Sequence, residues 1–175
     1  TANAVIHNRA TPVFVDVDPY TWCINPDLIE SAITKNTKAI IVVHLYGYPC
    51  DMQRISGIAQ KYNLSIIEDS AEAIGTRYNG ELAGSIGNIG IFSFYANKTI
   101  TSGEGGMLVT NDVTLAKKAR MLKNQAFGET RFIHDHIGFN FRMNNLTAAY
   151  AYSSLEEVQF NISKKIRNAQ LYNNL

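Results

Sequence analysis

The stretch AIIVVHLYGYPCDMQRISGIAQKYNLSIIED, residues 39–69, decides the fold. Ala39-Ile40-Ile41-Val42-Val43 is a continuous apolar run of strand length, the pattern of a parallel strand buried on both faces. His44-Leu45-Tyr46-Gly47-Tyr48-Pro49 leaves it as a loop. Asp51 then predicts a helix N-cap, and Ile55, Ile58, Ala59 and Tyr62 recur at helical spacing over Met52–Tyr62. Leu64-Ser65-Ile66-Ile67 reads as a second strand, delivering Glu68 and Asp69 at its carboxyl end. Strands joined by a helix in this way run parallel with a right-handed crossover, and ligands of such sheets sit at the carboxyl ends of the strands. Asp69 therefore stands where a ligand-binding group is expected.

Upstream, Pro12-Val13-Phe14-Val15-Asp16-Val17 reads as another strand closed by Asp18-Pro19. Asn25 predicts the N-cap of a helix through Ala32, with Pro26 at its first position and Leu28, Ile29 and Ala32 on one face. Downstream, Asn79-Gly80 and the glycines between 84 and 87 bracket a small hairpin-like excursion. Ile89 to Phe94 and Met107 to Thr110 are further strands. Asn111-Asp112 caps a helix through Lys123 that buries Leu115, Ala119 and Leu122. Residues 124–139 are irregular and hold two of the four histidines. From Asn144 one long helical pattern runs through Leu146, Ala149, Tyr150, Leu155, Val158 and Ile162. The alternation predicts an α/β fold, a mostly parallel sheet flanked by helices.

At 175 residues, 46% hydrophobic and 18% charged, the chain is of ordinary globular composition. A net charge of +1 and the lack of a long basic run give no reason to expect nucleic acid or an anionic membrane as partner. The apolar runs are too short to span a bilayer, and the first residues lack a signal-peptide pattern. Cys23 and Cys50 have no metal-ligand spacing, so the residues suggest neither a metal site nor a disulfide framework. These observations lead to the expectation of a cytoplasmic protein.

The chemistry centres on residues 92–106, FSFYANKTITSGEGG. A β-rich apolar run ends at Lys98, and small hydroxylated residues and three glycines follow. A lysine at a strand end is ordinarily a solvated loop residue. Set between an apolar strand and a glycine-rich turn it invites a chemical role, because desolvation favours the neutral amine that attacks carbonyls. A carboxylate at one strand end and a lysine just past another can face each other across a crevice. Such a pair suits pyridoxal phosphate, whose aldehyde Lys98 would hold as a Schiff base while Asp69 keeps the pyridine nitrogen protonated. The Ser93 hydroxyl, five residues before the lysine, would donate to the phosphate.

Three segments carry a resemblance: Glu68-Asp69-Ser70-Ala71-Glu72-Ala73-Ile74-Gly75, the run from Ser93 through Lys98 to Gly106, and Gly138-Phe139-Asn140-Phe141-Arg142-Met143. Together with Val43-His44-Leu45-Tyr46-Gly47 and Asp51-Met52 they resemble, in order and spacing, the pyridoxal-phosphate-dependent sugar aminotransferases of the DegT/DnrJ/EryC1/StrS family. The resemblance implies a fold-type-I large domain with catalytic Lys98 and Asp69. It implies a cofactor site of Lys98, Asp69, Ala71, Glu72, Ser93 and Asn140, the last reaching the phosphate in a neighbouring subunit of a homodimer with shared active sites. Position 72 is commonly glutamine in the family, where it meets the cofactor's ring hydroxyl; a glutamate beside a phenolate is repulsive unless protonated or otherwise paired. No metal is implied. The pyridoxamine form would be the intermediate carrier of the amino group, glutamate the donor, and a nucleotide-linked keto sugar the acceptor. The wording around Glu72 and Lys98 is most like the branch that uses GDP-4-keto-6-deoxymannose. Family members are about twice the length of one such domain. The expectation is therefore a chain incomplete at both ends, with part of the large domain over 1–158 and the start of the helix to a small C-terminal domain over 159–175.

Other readings stand beside these. A family branch with histidine at the lysine position removes a sugar hydroxyl, so Lys98 favours amino transfer over dehydration. A non-catalytic relative would be expected to lose Lys98 or Asp69. His44, His134 and His136 either contact a nucleotide or serve structure. Tyr95 borders a sugar pocket or packs, and Arg142 meets a phosphate or a nearby carboxylate. The glycines from 103 to 106 lack the lysine-hydroxyl ending of a phosphate-binding loop and instead permit a tight turn.

Overall fold

The computed structural model describes every residue except Glu129, Arg131 and Asp135. It divides into two compact units, Thr1–Phe92 and Ser93–Leu175. In the first unit, α1 (Ala2–His7) and α2 (Pro26–Ala32) precede β1 (Ala39–Val43), α3 (Met52–Tyr62) and β2 (Ser65–Asp69). A two-stranded antiparallel excursion, β3 (Arg77–Tyr78) and β4 (Glu81–Leu82), leads to β5 (Ile89–Ser93), which carries the chain into the second unit. The β1 and β2 strands are parallel, pairing Ala39 with Ser65 through Val43 with Asp69. β5 joins the other edge of β2, also parallel, with Glu68 opposite Gly90 and Asp69 opposite Ile91.

Pleating sends alternate residues to opposite faces. Ile40, Val42 and Ile66 go to one face, where they form a core with Ile29 of α2, Met52, Ile55 and Ala59 of α3, and the thiols of Cys23 and Cys50. Both helices start where the residues predict. Asn25 accepts the Asp27 amide at 3.0 Å and Asp51 accepts the Arg54 amide at 3.2 Å. The left-handed Asn63 closes α3.

Two expectations are corrected, and one element was not foreseen. Residues 12–17 make no strand but a single antiparallel bridge, Val17 to Ile24. The chain reverses at once through Trp22 in left-handed conformation, with Asp18 accepting the Tyr20 and Thr21 amides, and the returning segment enters α2 at Pro26, so a longer ladder has no partner; Phe14 is left exposed. The short helix α1 was not expected: Ala2, Val5 and Ile6 share a face, but six residues are too few for the helical period to stand out. The long helical pattern after Asn144 is two helices, because Glu157 leaves helical geometry at φ −96° and ψ 6°.

The second unit contains β6 (Gly106–Val109), α4 (Val113–Lys123), α5 (Asn145–Glu156) and α6 (Val158–Asn173). Asp112 caps α4 through the Thr114 and Leu115 amides, and Asn144 caps α5 through the Thr147 amide. No helix among the described residues is long and apolar enough to cross a membrane.

Candidate active site

In the first unit the chemistry gathers where β1 and β2 end. Asp69 is 9% exposed. Its carbonyl accepts the His44 amide at 3.1 Å, its Oδ1 accepts the Ala71 amide at 3.2 Å, and its Oδ2 accepts the Thr1 hydroxyl at 2.6 Å. Neutral donors hold the carboxylate without cancelling its charge, and each oxygen keeps a further lone pair.

Glu68, one residue earlier and on the opposite face, is fully buried. Its Oε2 meets His44 Nε2 at 3.0 Å and the Gly84 amide at 2.7 Å; its Oε1 accepts the amides of Ile86 at 2.7 Å and Gly87 at 2.5 Å. His44 Nδ1 accepts the Cys50 amide at 3.1 Å, so the ring proton is on Nε2 and points at Glu68. Burial pushes the Glu68 carboxyl up, but the bonds from His44 and from the amides of Gly87, Gly84 and Ile86 outweigh it and hold the group below its ordinary value. His44 is thus a fully buried structural residue, and the nucleotide-contact alternative for it is corrected. The excursion approaches closely here: a Cβ on Gly90 would lie 1.9 Å from the Gly84 carbonyl oxygen.

The loop after β1 is tied to the loop after β2. Glu72 Oε2 accepts the Tyr46 amide at 2.8 Å, and Thr76 donates to the Gly47 carbonyl at 2.8 Å. Tyr46 is left-handed at φ 52° with an exposed side chain. A glutamate at position 72 therefore has at least one backbone donor, which ties its side chain to the loop after β1. Ala71 is half-buried in the same loop.

In the second unit, Ser93 Oγ accepts the Tyr95 amide at 3.2 Å, which leaves the hydroxyl proton to donate elsewhere. Phe94 is buried and clamped: its amide donates to the Gly105 carbonyl at 2.9 Å, and its carbonyl accepts the Ser102 amide at 2.9 Å and the Thr101 hydroxyl at 3.2 Å. The half-buried Lys98 follows in a turn whose amide donates to the Tyr95 carbonyl at 3.0 Å. The Thr101 amide donates to Ser154 Oγ of α5 at 3.1 Å, anchoring the segment after the lysine. Gly103 and Gly105 are left-handed, so the turn requires glycine, and a Cβ on Gly105 would press on Met143 Cε at 2.9 Å.

Asn140 bridges Asn124, and its Oδ1 accepts Arg142 Nε at 3.3 Å. His134 donates from Nδ1 to the Gln125 carbonyl at 2.8 Å and packs on Phe127, a structural arrangement, while His136 is exposed. Tyr95 is about half exposed, at 49%. No cluster able to hold a metal occurs among the described residues.

Among the residues expected at the site, Asp69, Ala71 and Glu72 thus share one loop region of the first unit. Ser93 and Lys98 share the β5 exit of the second, where Asn140 lies in a separate hydrogen-bonded segment. The donor chemistry fits pyridoxal phosphate: Asp69 is a buried, charged acceptor for a pyridinium N–H, and Ser93 has a proton for a phosphate oxygen. Reading the sequence missed Thr1 altogether, since nothing local links it to a residue 68 positions away. It also left Glu68 without a role, although a glutamate inside an apolar strand is itself a signal.

Comparison with known proteins gives the same direction. The model of the DegT/DnrJ/EryC1/StrS aminotransferase family matches residues 1–175. The chain is 48% identical over 173 residues to the GDP-perosamine synthase of Escherichia coli O157:H7, covering 98% of this chain and 48% of that protein. It is 49% identical over 149 residues to the UDP-N-acetyl-3-dehydro-alpha-D-glucosamine 3-aminotransferase of Acidithiobacillus ferrooxidans, covering 85% of this chain and 40% of that one. A crystal structure of a DegT DnrJ EryC1 StrS aminotransferase from Brucella abortus matches with a TM-score of 0.94 at 37% identity, over 99% of this chain and 49% of that one. The chain spans about half the length of these relatives, or less. On a match over its whole length, this chain belongs to the DegT/DnrJ/EryC1/StrS aminotransferase family.

Proposed function

We propose that the chain works as the cofactor-binding large domain of a pyridoxal-phosphate-dependent aminotransferase, which moves the amino group of glutamate onto a nucleotide-linked 4-keto-6-deoxy sugar. The acceptor we favour is GDP-4-keto-6-deoxymannose and the product GDP-perosamine, a building block for surface polysaccharide such as O-antigen. The observation that carries the reading is the buried carboxylate of Asp69, held by neutral donors at the carboxyl end of β2. The name of the Escherichia coli relative supports the sugar. The large domain occupies 1–158 in this proposal, and residues 159–175 begin the helix toward a small C-terminal domain.

When bound, pyridoxal phosphate supplies a conjugated ring that stores the electron pair released as a proton leaves the donor's α-carbon. Asp69 keeps the pyridine nitrogen protonated, so the charge is stabilised where it develops. The Lys98 amine holds the cofactor at rest and, once displaced, moves the proton to and from the reacting carbon as a general base and acid. Ser93 would donate to the phosphate, Ala71 would belong to the cofactor site, Glu72 would meet the ring hydroxyl, and Asn140 would reach the phosphate of a second copy in a homodimer. We place the protein in the cytoplasm, where nucleotide sugars are made.

The test begins with loading by pyridoxal phosphate, borohydride reduction and peptide mass spectrometry, which should locate the reduced adduct on Lys98. The protein is then given glutamate and a panel of GDP-, UDP- and TDP-linked 4-keto and 3-keto sugars. Release of 2-oxoglutarate with the GDP-linked 4-keto sugar is expected, and release with the UDP-linked 3-keto sugar alone would move the assignment toward the Acidithiobacillus relative. Silence across the whole panel removes the transaminase reading.

A further inference from the structure

A threonine at a helix N-cap ordinarily turns its hydroxyl onto an amide of the first turn. Thr1 stands at the N-cap of α1 but makes no such bond. Its hydroxyl donates instead to Asp69 Oδ2 at 2.6 Å. The second carboxylate oxygen, Oδ1, accepts the Ala71 amide at 3.2 Å. Rotation about the last bond of an aspartate is broad and two-fold, so one contact leaves the carboxylate plane free to swing. Two donors on different oxygens fix the plane. The Ala71 amide lies only two residues away along the backbone and is largely given by the local turn; the long-range constraint is Thr1.

The chemistry of this donor also matters. A hydroxyl is neutral, so it orients Asp69 without supplying the counter-charge that a lysine or arginine would. The lysine and arginine ion pairs among the described residues lie elsewhere, at Arg54–Asp27 and Lys61–Glu30. A pyridinium N–H would therefore meet a carboxylate held in a fixed plane by neutral donors, the arrangement that electrostatic preorganisation requires.

We infer that Thr1 is a positioning residue, acting through Asp69: its hydroxyl sets the carboxylate plane that receives the cofactor's ring nitrogen. The inference rests on the reading of Asp69 given above. Thr1→Val removes the hydroxyl while keeping the shape of the side chain, and Thr1→Ser keeps the hydroxyl. The measurements are crystal structures of both variants and, in the loaded protein, the cofactor Kd with the pH profile of the cofactor's absorbance band.

In Thr1→Val the Asp69 carboxylate should turn from its plane, cofactor Kd should rise about tenfold, as expected for loss of one charge-assisted hydrogen bond, and the pH profile should move. Thr1→Ser should keep the native plane and bind within about twofold of the parent. A Thr1→Val protein with the parent's carboxylate orientation overturns the inference, as does a Thr1→Ser protein as impaired as Thr1→Val. Asp69→Asn separates this from failure of the underlying reading. If that variant binds cofactor and shows an absorbance profile like the parent, the role of Asp69 falls, whereas the variant crystal structures still decide whether Thr1 sets its plane.

Discussion

Replacing Glu68 by glutamine changes one atom's chemistry in a side chain that solvent never reaches, and the structure makes that change severe. Four donors converge on the two carboxylate oxygens: His44 Nε2 and the Gly84 amide on one, the Ile86 and Gly87 amides on the other. A carboxamide offers a single oxygen. Whichever way it is flipped, its NH2 group must face two N–H donors. His44 cannot relieve one side by moving its proton, because Nδ1 already accepts from the Cys50 amide. Losing two charge-assisted bonds and stranding two buried donors, offset in part by no longer burying a charge, gives a cost of about 2–5 kcal/mol. That is a large share of the ~5–15 kcal/mol that holds an ordinary domain together.

Urea unfolding followed by far-UV circular dichroism measures it, and pH supplies an internal check. The Glu68 carboxyl is held below its ordinary value of 4.5 in the folded chain. Its contribution is therefore complete above about pH 4.5 and is lost as pH falls through the lower folded value. The parent should lose stability over that interval, and Glu68→Gln should lack this component of the loss. A Glu68→Gln protein within 1 kcal/mol of the parent at pH 7, by the order of magnitude of a single net hydrogen bond, refutes the reasoning.

Two further outcomes follow from the same region. Gly90→Ala should lower stability by about 3 kcal/mol or more, because the added Cβ would sit 1.9 Å from a backbone carbonyl oxygen that has no rotamer to give way; an unchanged thermal midpoint would show that Gly84 moves freely. Cys23 and Cys50 are 3% and 0% exposed, and burial together with the neighbouring Cys23 thiol pushes the Cys50 thiol far up. Neither should react with a thiol reagent until the protein is unfolded in urea, and rapid native-state labelling of both would contradict the packing described.

What the sequence made legible is what repeats at short range. Ala39–Val43, Met52–Tyr62 and the capping roles of Asn25, Asp51 and Asp112 are local patterns, and they are present as read. Residues 12–17 have the composition of a strand, yet strand formation depends on a partner, and the reversal at Trp22 supplies one bridge only. Glu157 breaks the long helical pattern by backbone geometry that no breaker residue announces. At the site, Asp69 was legible because a strand's carboxyl end is a general address for ligands. Thr1 and the His44–Glu68 contact were not, since both join residues far apart in the chain through hydrogen bonds of single side chains. His44 shows the limit well: a loop histidine next to a ligand-binding end invites a binding role, and only its burial assigns it to the interior.

The adjacent acids Glu68 and Asp69 have a consequence for how β2 finds its place. A strand that slips by one residue sends every side chain to the opposite face. Apolar neighbours alone discriminate poorly here, because Ile66 and Ile67 are the same residue and would exchange places at little cost. The acids differ in length by one methylene, and each face of the sheet accepts only one of them: four convergent donors reach the longer side chain on one face, and Thr1 with the Ala71 amide reach the shorter one on the other. A slipped strand would strand two carboxylates at once. The Glu-Asp pair thus acts as a proofreading mark for alignment, and the residue taken to serve the cofactor reaches its position partly because its neighbour tolerates no other.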